Sequence, residues 1–557
     1  MSEIEKLKKE VEKLKKENLD LKKKKKFGLV WEEREREKNI DDGEYYPYLV
    51  KKGNAFGFDN NETNKNILIE GDNYHALKIL QYTHKEKIDV IYIDPPYNTG
   101  KKKEFKYGDS WIDKNSGYKH SYWLSFINKR LEIAKNLLSK DGLILISIDE
   151  NEYARLKLLC DDIFTSSNFI GSFVKKISGG KNDSKTIKVN HEYLLCYKRT
   201  EKATIHLNIE YTKKDETRSL QKDGDNEERF NRENLWYPIY ANINTKEISL
   251  EFKKDMIEIF PIKNDGLERY WRWEYDTAIK RIDELRLTKT KFDDGEIKYD
   301  IGVFTPKGTK KELPWNSFIS DFSAGGGTQL KEVLEKKIPG MYPKNLDYIK
   351  WICNLSVKKN PIILDFFAGS GTTGQALEEL KKDTSSHIEN PKCILITNNE
   401  SNICEDVCYQ RIKKANEKYN YNSNLEYLKT ELLKYDSQKH SDLDIKEFMV
   451  DKLIEIIKVR EACFKLDEIN KFLLKFAHIN KSVYVLQDIY KMKKNDYDEV
   501  VSILKDDEKD KINIYILSMS NHEHYINKIS KVHKNITFEP LPESFLKMLR
   551  KIERKRR

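Results

Sequence analysis

"PIILDFFAGSGTTGQALEEL", residues Pro361–Leu380, decides the fold. Its apolar start predicts a buried strand ending at Asp365, and its amphipathic end predicts a helix beginning near Thr372. Between them lies Phe367-Ala368-Gly369-Ser370-Gly371. A strand that passes through glycines into a helix is a building unit of an α/β sheet, and the glycines let the backbone approach a bound cofactor closely. A phosphate-binding P-loop would carry Lys-Ser/Thr after its last glycine; Thr372 and Thr373 stand there, which argues against nucleoside triphosphate. Gly369, Gly371 and Gly374 match the dinucleotide spacing, although a purely structural glycine turn would look the same. Two acids favour a cofactor: Asp365 at the strand end, and Glu400 at the end of the next predicted strand, "CILITNNE", where a ribose diol could donate to it.

The same alternation precedes this unit. "NILIEGD" predicts a strand, Asn73–Tyr82 a helix, "IDVIYID" a strand, Tyr122–Leu138 a helix and "GLILISID" (Gly142–Asp149) another strand. Helix 152–163 and the strand-like "HEYLLCYKR" (His191–Arg199) continue the series. Continuous β-branched runs between amphipathic helices predict a mostly parallel sheet covered on both faces. One of these strands ends in Asp94-Pro95-Pro96-Tyr97. Proline fixes φ and offers a carbonyl outside any helix, so the stretch reads as a stiff turn presenting an acid and a ring. Alone, it equally suits a Pro-Pro turn that merely ends a buried strand. In one parallel sheet this turn and the glycine loop can lie side by side on the carboxyl edge, where such folds bind ligands.

At 557 residues the chain exceeds one hydrophobic core, and about two to four domains are expected. Residues 1–26 form a separate unit in which Ile4, Leu7, Val11, Leu14, Asn18 and Leu21 follow a heptad repeat. Glu3, Glu10 and Glu17 at g and Lys8, Lys15 and Lys22 at e complement each other across a parallel pair, predicting a homodimeric coiled coil. Residues 27–65 read as a linker or extended arm, and 66–199 as the half bearing Asp94. Residues 200–335 are polar and aromatic without α/β alternation; 336–415 form the glycine-loop half; 416–557 are lysine-rich and predicted mostly helical. The net charge of +10 hints at a polyanionic partner. No run approaches the roughly 20 apolar residues of a membrane span, and the charged N-terminus lacks a signal-peptide core. With seven scattered cysteines this predicts a cytoplasmic protein. Cys404 and Cys408 lack further ligands at metal spacing, so no metal site is expected.

In this order the motifs resemble those of beta-class amino-methyltransferases, which modify exocyclic amines of DNA bases. Asp94-Pro95-Pro96-Tyr97 is similar to their catalytic motif and Phe367-x-Gly369-x-Gly371 to their S-adenosylmethionine motif. With "GLVWE", "EGDNYHALKIL", "ISIDENE" and "HEYLLCYKR", the chain resembles the Mod subunits of Type III restriction-modification systems over about residues 27–415. The resemblance implies a Rossmann-like S-adenosylmethionine-dependent methyltransferase fold with circularly permuted motif order, with 200–335 as an inserted target-recognition domain. It implies adenine N6 as the methylated atom, since N4-cytosine enzymes more often carry serine at the position of Asp94. It further implies double-stranded DNA as substrate and a restriction (Res) subunit as partner.

The residues explain that chemistry. The lone pair of adenine's exocyclic nitrogen is delocalised into the ring; acceptors at the Asp94 carboxylate and Pro95 carbonyl would draw the nitrogen towards tetrahedral geometry. Tyr97 would stack on the base once it is flipped from the duplex. By resemblance Asp72 accepts from the cofactor's adenine amine, although it also reads as a helix N-cap. Glu400 would bind the ribose. Phe367, Ala368, Gly369, Ser370, Gly371 and Thr372 would line the donor, Asp365 would meet its amino group, and Lys344 in "YPKNLDYIKWI" its carboxylate. In 200–335, Arg269, Trp271, Arg272 and Trp273 interleave cations with rings, as phosphate clamps do, yet core packing accounts for the tryptophans as well, and no base contact is assigned. The basic tail Lys547–Arg557 suits phosphate, a partner or a solvated helix end. Alternatives are an orphan adenine methylase, an N4-cytosine enzyme, an RNA or protein amine methyltransferase, and a catalytically silent DNA-binding scaffold.

Overall fold

The computed structural model describes residues 29–31, 45–53, 56, 65–99, 118–177, 186–222, 232–262, 267–291, 297–322, 325–434, 442–463, 466–476, 478, 480–487, 491–517, 523–533 and 535–541. The heptads of 1–26 and the basic tail Lys547–Arg557 lie outside them. The chain divides into two compact units, Leu207–Trp315 and the remainder.

The larger unit is built on a ten-stranded sheet. Its strands are β1 (Tyr45–Lys51), β2 (Asn66–Glu70), β3 (Ile88–Ile93), β4 (Leu138–Ile148), β5 (Phe169–Lys176), β6 (His191–Lys198), β7 (Phe318–Ile319), β8 (Ile362–Asp365), β9 (Lys392–Thr397) and β10 (Leu425–Lys434). Their order is β1-β10-β2-β9-β8-β3-β4-β6-β5-β7. The block from β10 through β4 is parallel, as the continuous apolar runs predict. Beyond it β6 runs antiparallel to β4 and β5, so the sheet is mixed. β8 and β3 are direct neighbours, Ile363 opposite Val90 and Leu364 opposite Ile91. That pairing brings the two strand-end motifs together.

Alternate strand residues point to opposite faces, and both faces are buried. Ile67, Ile69, Ile91, Ile93, Ile144 and Ile146 join one core with helices α1 (Asn73–Thr83), α2 (Lys119–Leu137) and α3 (Tyr153–Phe164). Leu68, Val90, Tyr92, Leu145, Ile363 and Leu395 are buried on the other face. There α4 (Leu346–Cys353), α5 (Thr372–Lys382) and α6 (Gln410–Tyr419) provide cover. Gly374 is needed in that layer, because a Cβ on it would lie 2.9 Å from Leu395 Cδ1 and 3.3 Å from Ile412.

Three expectations are corrected. Residues 27–65 are not only a linker: β1 is the sheet's edge strand, paired antiparallel with β10 from Tyr45–Lys434 to Lys51–Leu428. Residues 416–557 are not mostly helical. β10 belongs to the main sheet, and Leu466–Asn470, Leu473–Phe476, Ser482–Gln487, Ile512–Leu517 and Ile536–Phe538 form a five-stranded sheet. Its central strands are short apolar runs, "SVYVLQ" and "INIYIL", whose burial outweighs the lysine-rich composition around them. The separate unit Leu207–Trp315 is narrower than 200–335, because His206 and β7 are bound into the larger unit by backbone hydrogen bonds to Leu355 and β5.

The smaller unit carries two three-stranded antiparallel sheets and a two-stranded ribbon. Its own core gathers Leu220, Ile239, Trp271, Leu285 and Ile301. Trp271 is fully buried and donates to the Tyr237 carbonyl, Arg269 is 3% exposed, and Arg272 donates to the Ser219 carbonyl. The Arg-Trp interleaving therefore builds the core of this unit rather than an exposed phosphate clamp.

Candidate active site

The carboxyl ends of β2, β3, β8 and β9 lie along one edge of the sheet and deliver Asp72, Asp94, the glycine loop and Glu400 there. Apart from the half-buried Asp89, β3 is hydrophobic and buried on both faces, which anchors the Asp94–Tyr97 turn rigidly. Trp123 Nε1 on α2 donates to the Pro96 carbonyl at 2.7 Å. Asn98 ends the turn with φ +59°, and its amide donates to the buried Glu152 carboxylate at 2.5 Å. Asn is suited to this left-handed conformation. Among the described residues nothing donates to the Pro95 carbonyl.

Asp94 sits in a cluster of alternating charge. Its Oδ1 accepts from the Tyr97 hydroxyl at 2.7 Å and lies 3.3 Å from Lys344 Nζ. Lys344 also donates to Tyr97 Oη at 2.6 Å and to Glu192 Oε2 at 2.7 Å. The other oxygen of Glu192 accepts from Lys175 at 2.9 Å, these two residues standing directly opposite on β6 and β5. Asp94 Oδ2 has no partner among the described residues. Burial pushes the Asp94 carboxyl up from its ordinary value, and the Lys344 ammonium opposes that. Burial would also raise Glu192, but Lys344 and Lys175 bring it down to about 2. Burial alone would lower Lys344; Asp94 and Glu192 hold it above the usual lysine range.

The glycine loop is fixed from several sides. Asp365 is buried, and its two oxygens accept from Phe367 N at 3.0 Å and the Thr373 hydroxyl at 2.6 Å. It thus serves the loop, and burial raises its pKa to about 7. Gly371 caps α5 with φ +76°, against Cys408. The Ser370 and Thr372 hydroxyls face inward to the fully buried Arg411, which donates to them at 3.2 and 2.6 Å and to Gln375 Oε1 at 2.8 Å. Asn73 Nδ2 donates to the Phe366 carbonyl, tying the start of α1 to this loop. Asp72 accepts from Tyr74 N at 2.7 Å as N-cap and from Arg130 Nη2 at 3.2 Å. Glu400 is exposed and lies three residues beyond β9, in a 3-10 turn, rather than ending the strand.

The sequence reading thus placed Asp94, Pro95, Pro96, Tyr97, Asp72 and the Phe367–Thr372 loop on one edge. It assigned Lys344 to a donor carboxylate; the structure puts its ammonium on Asp94, Tyr97 and Glu192. It missed Glu192, Lys175, Arg130 and Arg411. For Glu192 a signal was present: an acid within an otherwise apolar strand, with a lysine in the neighbouring strand. Among the described residues no group of His, Cys, Asp and Glu could hold a metal, and no helix is long and apolar enough to cross a membrane.

The edge fits a nucleoside-bearing methyl donor. A glycine turn with open space at Gly369 (its Cβ would meet nothing nearer than Phe367 O at 3.7 Å) lies beside carboxylates at Asp72 and Glu400. One strand away stand a carbonyl and a carboxylate oxygen free to accept from an amine. Together these features suit methyl transfer to an amine.

The particular family follows from comparison. The N6/N4 DNA methylase family model matches residues 88–408, and the chain belongs to that family. It is 36% identical over 325 residues to the Type II methyltransferase M.KpnI of Klebsiella pneumoniae, covering 56% of this chain and 76% of that one. It is 30% identical to the EcoPI Mod subunit of Escherichia phage P1 (58% of this chain, 56% of that one). It is also 30% identical to the EcoP15I Mod subunit of Escherichia coli (58% and 57%). The chain thus spans little more than half the length of these Mod subunits.

Proposed function

We propose that the protein methylates the N6 amine of a flipped adenine in double-stranded DNA, with S-adenosylmethionine as donor. The carrying observation is that Asp94 Oδ2 and the Pro95 carbonyl stand unpartnered among the described residues while Pro96 and Asp94 Oδ1 are engaged. S-adenosylmethionine supplies an electrophilic methyl group. The chain supplies two acceptors, one for each N–H, which point the nitrogen lone pair, and a Tyr97 ring for the base to stack on, worth about 1–3 kcal/mol. Asp72, Glu400 and the backbone of Phe367–Thr372 would hold the donor, and proximity of two bound reactants does much of the remaining work. Residues 207–315 would read the target sequence, and residues 1–26 would assist a homodimer. The motif order corresponds to a circular permutation, and host DNA places the activity in the cytoplasm.

The identity to Mod subunits supports the modification and recognition role of a Type III system, with a Res subunit as partner. A second reading, a methylase acting without Res, draws on the fuller coverage of M.KpnI. Transfer of labelled methyl to duplex DNA by wild type and not by Asp94→Ala tests the chemistry; transfer unchanged in the variant would sink it. Long-read sequencing of host DNA with and without the gene gives the methylated base and its context. Co-expression with a Type III Res subunit from the same host separates the two readings: a Type III enzyme co-purifies with it, a stand-alone methylase does not.

A further inference from the structure

The Glu192–Lys344 pair is not explained by the fold. A buried ion pair with well-packed neighbours is often no more stable than an apolar pair of the same volume. Here two such pairs are stacked. Lys175 and Glu192 are 4% and 6% exposed, and Lys344 reaches across from the loop before α4 to complete the cluster. All three acceptors of Lys344 belong to the catalytic turn or to Glu192: Tyr97 Oη at 2.6 Å, Glu192 Oε2 at 2.7 Å and Asp94 Oδ1 at 3.3 Å. Among the described residues Asp94 is thereby gripped through Oδ1 alone.

We propose that Lys344, aimed by Glu192 and Lys175, is a positioning residue that keeps Asp94 ionised and turned so that Oδ2 faces the substrate amine. This rests on the reading of Asp94 as the acceptor for that amine. Asp94 must accept, and a protonated carboxyl would donate instead. Burial and the Glu192 carboxylate from β6 disfavour its charge, and the Tyr97 hydroxyl that donates to Oδ1 favours it. Asp365 from β8, Tyr92 from β3 and Tyr348 from α4 also face it; burial and the Asp94 charge hold their protons on, so they stay neutral beside it. Lys344 is the cation that touches it, and Lys175 offsets Glu192. A donor-carboxylate role is a different one, because among the described residues the Lys344 ammonium meets Tyr97, Glu192 and Asp94, on the side of the site proposed for the substrate.

The pH dependence of single-turnover methyl transfer tests this, with saturating donor and duplex DNA. Lys344→Met should move the acid limb up by about one pH unit or more, since the opposing cation is gone. Glu192→Gln should move it down, since a like charge beside Asp94 is removed while Lys344 remains. Lys344→Arg keeps the charge and should leave the limb near its wild-type position with a lower maximal rate. General structural damage would not shift the limb in opposite directions. An unmoved limb in Lys344→Met, or a rise confined to KM for the donor, overturns the proposal and returns Lys344 to the donor. Should Lys344→Met fail to fold, Lys344→Gln, which can still hydrogen-bond Glu192 without the charge, decides, and an unmoved limb overturns it. Methylation retained by Asp94→Ala would be a different failure, that of the acceptor role itself.

Discussion

Asn98 and Glu152 meet at 2.5 Å between the end of the Asp94–Tyr97 turn and the helix after β4. Glu152 is fully buried, also receives His120 Nδ1, and lies 3.7 Å from Arg155. The amide of Asn98 thus both satisfies a buried carboxylate and locks the residue after Tyr97. Asn98→Ala removes a charge-assisted hydrogen bond and leaves alanine at φ +59°, which should lower unfolding free energy by about 2–4 kcal/mol. Turnover should fall by on the order of 100-fold if Tyr97 shifts by an ångström. Asn98→Gly relieves the backbone alone, so its urea midpoint should lie between the two while its turnover stays low. Wild-type turnover in either variant would show that the lock does not govern the turn.

Gly369 and Gly371 do different work although two residues apart. A Cβ on Gly371 would lie 3.0 Å from Cys408 Sγ and 3.1 Å from Cys408 O, at φ +76°. Gly371→Ala should cost about 2–4 kcal/mol and abolish donor binding. A Cβ on Gly369 meets only Phe367 O at 3.7 Å, at φ +49°, and points into open space. Gly369→Ala should cost about 1–2 kcal/mol yet still weaken donor binding, because the methyl fills the cradle. Thermal unfolding paired with donor calorimetry reads both. Equal stability losses would contradict the division.

Asp365 makes folding pH-sensitive. Burial raises its pKa to about 7, far above the roughly 3.9 of a free aspartate. The folded state therefore binds this proton more tightly than the unfolded chain. Its stabilising contribution is complete below the free value and is lost as pH rises through about 7. Asp365→Asn keeps an acceptor for Phe367 N and cannot ionise, and the Thr373 hydroxyl can turn to accept its amide. The variant should therefore gain on wild type between pH 5 and pH 8 in urea midpoints measured at both. A gap that stays constant, or that widens in favour of wild type, would mean that Asp365 is already ionised when folded.

Much of this was legible beforehand. The strands around Ile91, Ile144 and Ile394 announce themselves as apolar runs; that β3 and β8 could be neighbours was open to the sequence, and their pairing is seen in the structure. Asp94, Pro95 and the glycine loop are recognised because strained turns need particular residues. Glu192 and Lys175 were not, since a charge in a strand reads as a solvated face until its opposite on the neighbouring strand is known. The five-stranded C-terminal sheet was hidden for a related reason. Its strands are short, and lysine-rich surroundings dilute their hydrophobicity over any helix-length window. Trp271 and Arg269 suited a core or a nucleic-acid surface equally in the sequence, because composition carries no information on which way a side chain points; both are buried.

Arg411 gives the last prediction. Its guanidinium is fully buried, burial lowers its pKa to about 10, and Nη2 has no hydrogen-bond partner among the described residues. No carboxylate forms an ion pair with it there, so its charge is a poor investment for stability alone. What it does is hold Ser370, Thr372 and Gln375 together beneath the glycine loop. Arg411→Met should therefore change unfolding free energy by no more than about 1–2 kcal/mol, since three hydrogen bonds are lost but a buried charge is relieved. Donor Kd should rise about tenfold or more as the loop loosens. Arg411→Lys should not restore affinity, because a single ammonium cannot span the three acceptors that the planar fork reaches. Calorimetric donor binding beside urea unfolding measures both quantities. A variant that loses several kcal/mol while binding donor normally would make Arg411 a structural residue and nothing more.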